Sequence, residues 1–258
     1  MVEVVMRMIL FFLLVCFCSA KATKQECSFG VNGINLISSE SQNHFLYEIK
    51  DHPKLWSKNL TKSQNYLSYR NYISSNFNIN PLKISREQLP IFANSKIARM
   101  KREGRNIISV LDKGVGTIRQ INCLESLLFE QQSYQKSLID HPNEFIAYIM
   151  RKKIGRSFRL KVYISTSDTD YQKPKLDLIK SDIENGWSFH SLIHNHPFHI
   201  DKYPNGMYQG GIVPSLSDVD FGRMNRDNNG LKYFIVTNGF HTISLQGSDL
   251  DKLIGHED

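Results

Sequence analysis

The sequence predicts an α+β (mixed α/β) fold, and the residues after position 116 carry this prediction. Runs rich in β-branched and aromatic residues alternate there with runs whose apolar residues recur at helical spacing. Strands that alternate with helices build a central mixed β-sheet flanked by helices. The predicted strands are 144–150, 158–165, 187–195, 233–237 and 241–245, and the predicted helices are 123–138, 175–185 and 217–228.

Local signals support these elements. A basic segment containing Gly155 separates the first two predicted strands, which favours a hairpin. Gly186 and Gly230 follow the second and third predicted helices. Glycine readily adopts the left-handed conformation that ends many helices, so both helices are expected to stop there.

Composition and charge narrow the class of protein. The chain has 258 residues, of which 41% are hydrophobic and 22% charged, and this excludes a disordered or collagen-like protein. Such a length suits one catalytic-size domain with an extension, or two small domains. Lys and Arg number 32 against 25 Asp and Glu, a formal net charge of +7. The excess suits an anionic partner but is too diffuse to identify one.

The first predicted region, residues 1–22, has the pattern of a secretory signal peptide. An apolar run at 8–17 is followed by the small-x-small site Ala20-Lys21-Ala22. The run is shorter than the roughly 20 residues that a membrane-spanning helix needs. We therefore expect cleavage near Ala22 and a secreted or periplasmic protein with no permanent membrane anchor.

Removal of this leader changes the cysteine count. Cys16 and Cys18 leave with it, and Cys27 and Cys123 remain. An even pair in an exported protein favours one disulfide bond. The alternative is two unpaired buried thiols, because free cysteine often packs as a small hydrophobic residue.

The second predicted region, residues 23–116, is expected to be irregular to helical. It is rich in Asn, Ser, Lys and Tyr and has only short apolar clusters. One helix is predicted over 85–102, beginning at Ser85 and ending in a basic run typical of a helix C-terminus. Gly114 and Gly116 mark the boundary to the third region, residues 117–258.

A cluster of histidines marks the predicted strand 187–195. Successive side chains of a strand point to opposite faces, so His194 and His196 share one face and lie close enough to bind one metal ion. A His-x-His pair alone is weak evidence, since such pairs are usually hydrogen-bonded surface histidines, so a metal site needs a third ligand. Asp218 follows in the first turn of a predicted helix, where Ser215 and Asp218 also form an ordinary capping box.

The segment His194-Asn195-His196-Pro197 together with Ser215-Leu216-Ser217-Asp218 resembles the JAMM (MPN+) metalloprotease motif. The resemblance covers roughly residues 120–250 and implies a cytidine-deaminase-like fold for the third region. It also implies a Zn²⁺ ion held by His194, His196 and Asp218. In the family the serine, here Ser215, steadies the tetrahedral intermediate, and a Glu on an upstream strand is the general acid/base.

Glu144 is the residue that we assign to this general acid/base role, because family members place their Glu at the start of a strand just after the first helix. Glu125 and Glu130 are the alternatives, and both fall on the predicted helix 123–138. Two His and one Asp leave a fourth tetrahedral position for water, which is typical of catalytic zinc. The resemblance therefore implies a zinc metallopeptidase.

The sequence does not identify the substrate or the role of one loop. The resemblance implies hydrolysis of a peptide or isopeptide bond in a peptide or protein substrate, with cell-wall peptide as one option. The spacer between Pro197 and Ser215 is longer than is usual in the family, so Phe198–Val213 is interpreted either as a substrate-gating loop or as a tolerated insertion. The sequence does not fix the oligomeric state.

Three other classes of function are the alternatives to a metallopeptidase. An amidohydrolase with a His-x-His strand would need a barrel of about 250 residues with the pair near its start, whereas the pair here is at position 194. A metal-dependent nuclease or other hydrolase would use the histidine cluster and the basic surface, but Ser215 and Asp218 would then have no role. A non-catalytic MPN-type binding module typically lacks the ligands, which are intact here. Nucleic acid is therefore not expected as a partner.

Overall fold

The computed structural model describes residues 27–29, 34–38, 42–167, 176–199 and 210–256. The predicted signal peptide lies outside these residues. Among the residues described, no helix is both long enough and apolar enough to span a membrane.

The described strands form one mixed sheet, and the α+β prediction is confirmed. The strands are β1 Ile34–Ser38, β2 Gln42–Lys50, β3 Thr117–Gln120, β4 Ile146–Ile154, β5 Ser157–Ser167, β6 Ser188–Asn195, β7 Tyr233–Thr237 and β8 His241–Gln246. Their order in the sheet is β1-β2-β5-β4-β6-β7-β8-β3. The pair β6 and β7 is parallel, and the other neighbouring pairs are antiparallel.

Helices pack on this sheet. In the described residues they are α1 Gln64–Asn76, α2 Pro81–Asn94, α3 Ala98–Lys113, α4 Cys123–Gln135, α5 Leu176–Glu184, α6 Leu216–Asn229 and the short α7 Gly247–Leu250, with a 3-10 helix at Pro53–Trp56. The elements predicted after position 116 are all present, with bounds shifted by a few residues. Gly186 and Gly230 have positive φ angles of 81° and 69°, so the predicted helix ends are confirmed.

The region before position 117 differs from its prediction in two ways. Strands β1 and β2 lie in it, and β2 extends the sheet by pairing antiparallel with β5. The single helix predicted over 85–102 is wrong, because the chain forms α2 and α3 with a break between them. Asn80 rather than Ser85 caps α2, since its side chain accepts the N–H groups of Leu82 and Lys83.

The break between the two helices also moves the basic run. Ser95 has an extended backbone, and its hydroxyl accepts the N–H of Ile97. Arg99, Lys101 and Arg102 therefore lie in the first half of α3 rather than at a helix C-terminus. Arg99 pairs with Glu103 one turn later, at 3.1 Å.

Alternating residues of the central strand β4 face two separate cores, as strand geometry requires. Ala147 and Ile149 belong to a cluster with residues of α1 and α4, including the stacked pair Tyr69 and Phe129. The opposite face, which begins with Ile146, belongs to a second cluster shared with α5, α6 and α7. Both sides of the sheet are thus covered at this point.

The predicted pairing of the two remaining cysteines agrees with the fold. Cys123 is the first residue of α4, and Cys27 lies before β1. Their Cα atoms are 5.7 Å apart with the sulfurs bonded. The bond ties the start of the described chain to α4, across a sequence separation of 96 residues.

Candidate metal centre

The two histidines of the cluster lie at the carboxyl end of β6. His194 stands opposite Ile146 of β4 and beside Val236 of β7. His196 follows the strand, and its N–H donates to the Thr237 carbonyl at 2.9 Å. This extended backbone keeps both rings on one face, and their Nε2 atoms are 3.1 Å apart.

The carboxylate of Asp218 joins the pair from the first turn of α6. Ser215 caps this helix: its hydroxyl accepts the Asp218 N–H at 3.2 Å, and Asp218 Oδ2 accepts the Ser215 N–H at 2.8 Å. The predicted capping box is confirmed. The box fixes the carboxylate so that Oδ1 lies 3.3 Å from His194 Nε2 and Oδ2 lies 3.2 Å from His196 Nε2.

The spacing of these three side chains fits a zinc ion. One ligand atom of each of His194, His196 and Asp218 lies within 4.8 Å of the others. The two Nε2 atoms are 3.1 Å apart, and each lies 3.2 to 3.3 Å from a different oxygen of the Asp218 carboxylate, so the three side chains surround a space that one metal ion can occupy. Nitrogen and oxygen donors in this number match an open, catalytic type of zinc site.

Charge at the site favours a proton on His196 when no metal is bound. Burial lowers the pKa of His196, but the hydrogen bond and charge of Asp218, with the charge of Glu144, raise it to about 9. Burial raises the pKa of Asp218, yet the two histidines hold it well below its usual value. Asp218 is therefore ionised and forms an ion pair with protonated His196, and this proton must leave before His196 Nε2 can bind a metal ion.

A backbone carbonyl orients the His196 ring. The Nδ1 of His196 lies 2.8 Å from the Gly211 carbonyl oxygen. An Nδ1–H that donates to this oxygen leaves Nε2 free as the ligand atom, a common arrangement around zinc. Sequence reasoning did not find this contact, because nothing in the local pattern links residue 211 to residue 196.

The contacts of the neighbouring Gly210 hold the Gly211 carbonyl in place. Gly210, next to Gly211, has a φ of +65°, and a Cβ there would lie 2.4 Å from the Phe198 ring. Its N–H donates to the Pro197 carbonyl at 3.3 Å, and its own carbonyl accepts the Asn238 side-chain amide at 2.7 Å. These contacts fix both ends of the loop between β6 and α6. Residues 200–209 lie outside the described chain, so the gating interpretation of Phe198–Val213 stays a prediction.

Glu144 lies two residues before β4, partly buried, at the end of the sheet where the histidines are. Antiparallel pairing of Ile146 with His194 places residue 144 at the level of His196 when the register is continued. Strand alternation puts Glu144 on the same face as His194, and its charge contributes to the raised pKa of His196.

Asn195, between the two histidines, is a residue that sequence reasoning passed over. Its side chain is fully buried and points away from the histidines. Its Oδ1 accepts the Phe145 N–H at 2.6 Å, and its Nδ2 donates to the Asn143 carbonyl at 3.2 Å. These two bonds clamp the backbone on both sides of Glu144. A buried amide inside an apolar strand was the available signal, since such groups need partners.

The two alternative carboxylates have structural partners elsewhere. Glu125 is fully buried at the start of α4, where it pairs with Arg119 and accepts from Thr242. Glu130 accepts hydrogen bonds from the hydroxyls of Thr61 and Tyr134. These contacts account for the positions of Glu125 and Glu130 without a role in proton transfer.

Comparison with known protein families, with curated proteins and with solved structures gives no match to this chain.

Proposed function

We propose that the protein is a zinc-dependent peptidase or isopeptidase of the JAMM type, which hydrolyses an amide bond in a peptide or protein substrate. The observation that carries the proposal is the convergence of His194, His196 and Asp218 at the end of β6, where one ligand atom of each lies within 4.8 Å of the others. When bound there, zinc supplies a Lewis acid and a water whose pKa is lowered to about 7.

Glu144 moves the proton in this proposal. A general base must be near the attacking water without being a metal ligand. Glu144 fits, because its charge acts on His196 and it is outside the group of three ligands. Continuing the β4–β6 register by two residues brings it to the level of His196. The carboxylate accepts a proton from the water and later gives it to the leaving amine.

Ser215 provides a hydrogen-bond donor. Its oxygen accepts the Asp218 N–H, and the hydroxyl hydrogen is left free to donate. The side chain is only partly buried, so a substrate oxygen has access to it. A hydrogen-bond donor that points at the substrate oxygen on which negative charge develops stabilises the transition state more than the ground state.

The test combines metal analysis with hydrolysis of peptide and isopeptide substrates. Purified protein is expected to bind about one zinc ion per chain, and His194→Ala, His196→Ala and Asp218→Ala are each expected to lower the zinc content. Glu144→Gln is nearly isosteric and is expected to keep zinc while it slows hydrolysis by about 10² to 10⁴.

Glu130→Gln is the matched control, because it neutralises a carboxylate that binds Thr61 and Tyr134 instead of the site. Full zinc occupancy in the three ligand variants would reject the ligand assignment. Loss of activity in Glu130→Gln but not in Glu144→Gln would reject the assignment of the base.

A further inference from the structure

The turn end of the β4–β5 hairpin, residues 152–159, is exposed and strongly basic. We call these residues the hairpin tip. Lys153, Arg156 and Arg159 are exposed in it, and they form no ion pair within the described part of the chain. Two carboxylates near its base are already paired, Asp51 with Arg151 and Asp182 with Lys161.

Cations also stand directly opposite one another across three strands. Arg159 of β5 is in register with Lys50 of β2 on one side and with Lys152 of β4 on the other. Cross-strand partners point to the same face, and like charges in this position destabilise a sheet. The Lys152 ammonium also donates to the Asn185 carbonyl, which does not cancel its charge. This row of cations does not stabilise the fold. It would, however, attract an anionic partner.

Two apolar side chains are exposed among these cations. Ile154 is 47% exposed and Phe158 is 39% exposed, with the Arg151 guanidinium over the Phe158 ring. Phe158 is in register with Lys153, so it lies on the face opposite to Ile154. The tip therefore presents an apolar side chain and at least one cation on each of its two faces.

This two-sided arrangement distinguishes between anionic partners. A nucleic acid or polysaccharide bound along one face would use the cations of that face and would leave the other apolar side chain in water. If the hairpin tip enters a lipid surface end-on, both apolar side chains are buried in the lipid and the surrounding cations contact the anionic headgroups. The observations favour the lipid surface.

We propose that the hairpin tip binds the surface of an anionic phospholipid bilayer, with Ile154 and Phe158 entering the headgroup region. β4 separates this contact from the metal centre. Ile146 lies opposite His194, and Ile154 lies eight residues further along the strand, or about 26 Å at roughly 3.3 Å per residue. Binding through the tip thus takes place at the opposite end of β4 from the metal centre.

The experiment compares binding of the full chain to two kinds of vesicle. One is pure phosphatidylcholine, and the other also contains phosphatidylglycerol; bound protein is measured by sedimentation. The apolar run at 8–17 can itself enter lipid, so the measured quantity is the gain in affinity from neutral to anionic vesicles. This gain is expected to be large at low salt and to shrink as salt screens the cations.

Two variants separate the contributions of charge and apolar contact. Lys153→Glu with Arg156→Glu is expected to lower affinity for the anionic vesicles by roughly 20-fold or more. Ile154→Ser with Phe158→Ser keeps every charge and is expected to lower it by about 10-fold. Lys101→Glu with Arg105→Glu on α3 is the matched control, since it makes the same charge change at two exposed residues, and is expected to bind like the wild type.

Three results would overturn the proposal. The first is no gain from anionic lipid in the wild type. The second is an equal loss in the tip charge variant and the α3 control, which would show a response to net charge alone. The third is full vesicle binding by the Ile154 and Phe158 variant; together with tight, tip-dependent binding to heparin or DNA, it would assign the tip to a soluble polyanion.

Discussion

Asn195 holds the backbone of Phe145 by a 2.6 Å hydrogen bond from the Phe145 N–H to its side-chain oxygen. The same side chain donates to the Asn143 carbonyl on the other side of Glu144. One residue of the His-x-His segment thus fixes the position of the proposed base, while its neighbours provide two proposed metal ligands. The proposed metal ligands and the proposed base are therefore held next to one another by residues at the carboxyl end of β6.

We predict that Asn195→Ala lowers activity without lowering metal binding. The change leaves a buried N–H and a buried carbonyl without partners, which costs about 1–3 kcal/mol in stability. Glu144 loses its fixed position, so kcat for amide hydrolysis is expected to fall while zinc content stays close to that of the wild type. Zinc analysis and steady-state kinetics of the same sample measure both.

Asn106→Ala is the matched control for this prediction. Asn106 is buried and makes an equivalent pair of bonds, with the carbonyl and N–H of Ile254 near the end of the described chain. A similar loss of stability with unchanged kcat is expected. Equal activity losses in both variants would mean that Asn195 acts on stability alone.

Ser215→Ala is predicted to lower both activity and stability, for separate reasons. Loss of the N-cap of α6 costs on the order of 1 kcal/mol, and loss of the hydroxyl donor costs about 10² to 10³ in kcat. Asn80→Ala removes the cap of α2, which lies outside the site, and is expected to cost similar stability with no loss of kcat. Wild-type kcat in Ser215→Ala would remove the hydroxyl from the mechanism.

The disulfide prediction is tested on protein made in an oxidising compartment. Mass spectrometry without reduction is expected to show a linked peptide pair containing Cys27 and Cys123. Replacing both by Ser is expected to lower the free energy of unfolding by up to about 4–5 kcal/mol in the chain-entropy model. Two free thiols that react with an alkylating reagent would contradict the prediction.

The elements that sequence predicted correctly have signals within a few residues. Gly230 ends α6, and the Ser215 and Asp218 pair begins it. Strand β2 was missed although Tyr47 to Lys50 alternate between buried and exposed. Its partner β5 lies more than a hundred residues further along the chain, so the surrounding sequence does not show that this segment joins the sheet. The break at Ser95 was missed because the 85–102 run keeps its helical character on both sides of it.

In the site, too, some features could be predicted from the sequence and others could not. The resemblance picks out His194, His196 and Asp218, and the structure brings these three together. The supporting contacts from Gly211 and Asn238 depend on how the loop between β6 and α6 returns to the sheet. A tertiary arrangement of this kind cannot be inferred from spacing along the chain.

Zinc affinity is predicted to depend on pH through His196. Its pKa is raised to about 9 by Asp218 and Glu144 against the effect of burial, and a ligand histidine must be neutral. Binding at pH 7 therefore releases a proton, and the apparent zinc affinity is expected to rise about tenfold per pH unit up to pH 9. Titration calorimetry in buffers of different ionisation enthalpy measures this release: the part that comes from His196 should fall from about one proton at pH 7.5 to about a quarter of a proton at pH 9.5, in addition to any proton lost by the bound water.

The metal-free protein should show the opposite trend in stability. A histidine whose pKa is higher in the folded state stabilises the fold fully below its ordinary value of 6.5, and this stabilisation is lost as pH rises towards 9. The loss is on the order of 3 kcal/mol. Asp218, with its lowered pKa, contributes at pH values above about 3.8 and loses its effect as pH falls. Thermal unfolding in the presence of a chelator should thus show Tm falling from pH 6.5 to 9 in the wild type and changing much less in His196→Gln. A wild-type Tm that is flat over this range would contradict the assigned ion pair of His196 and Asp218.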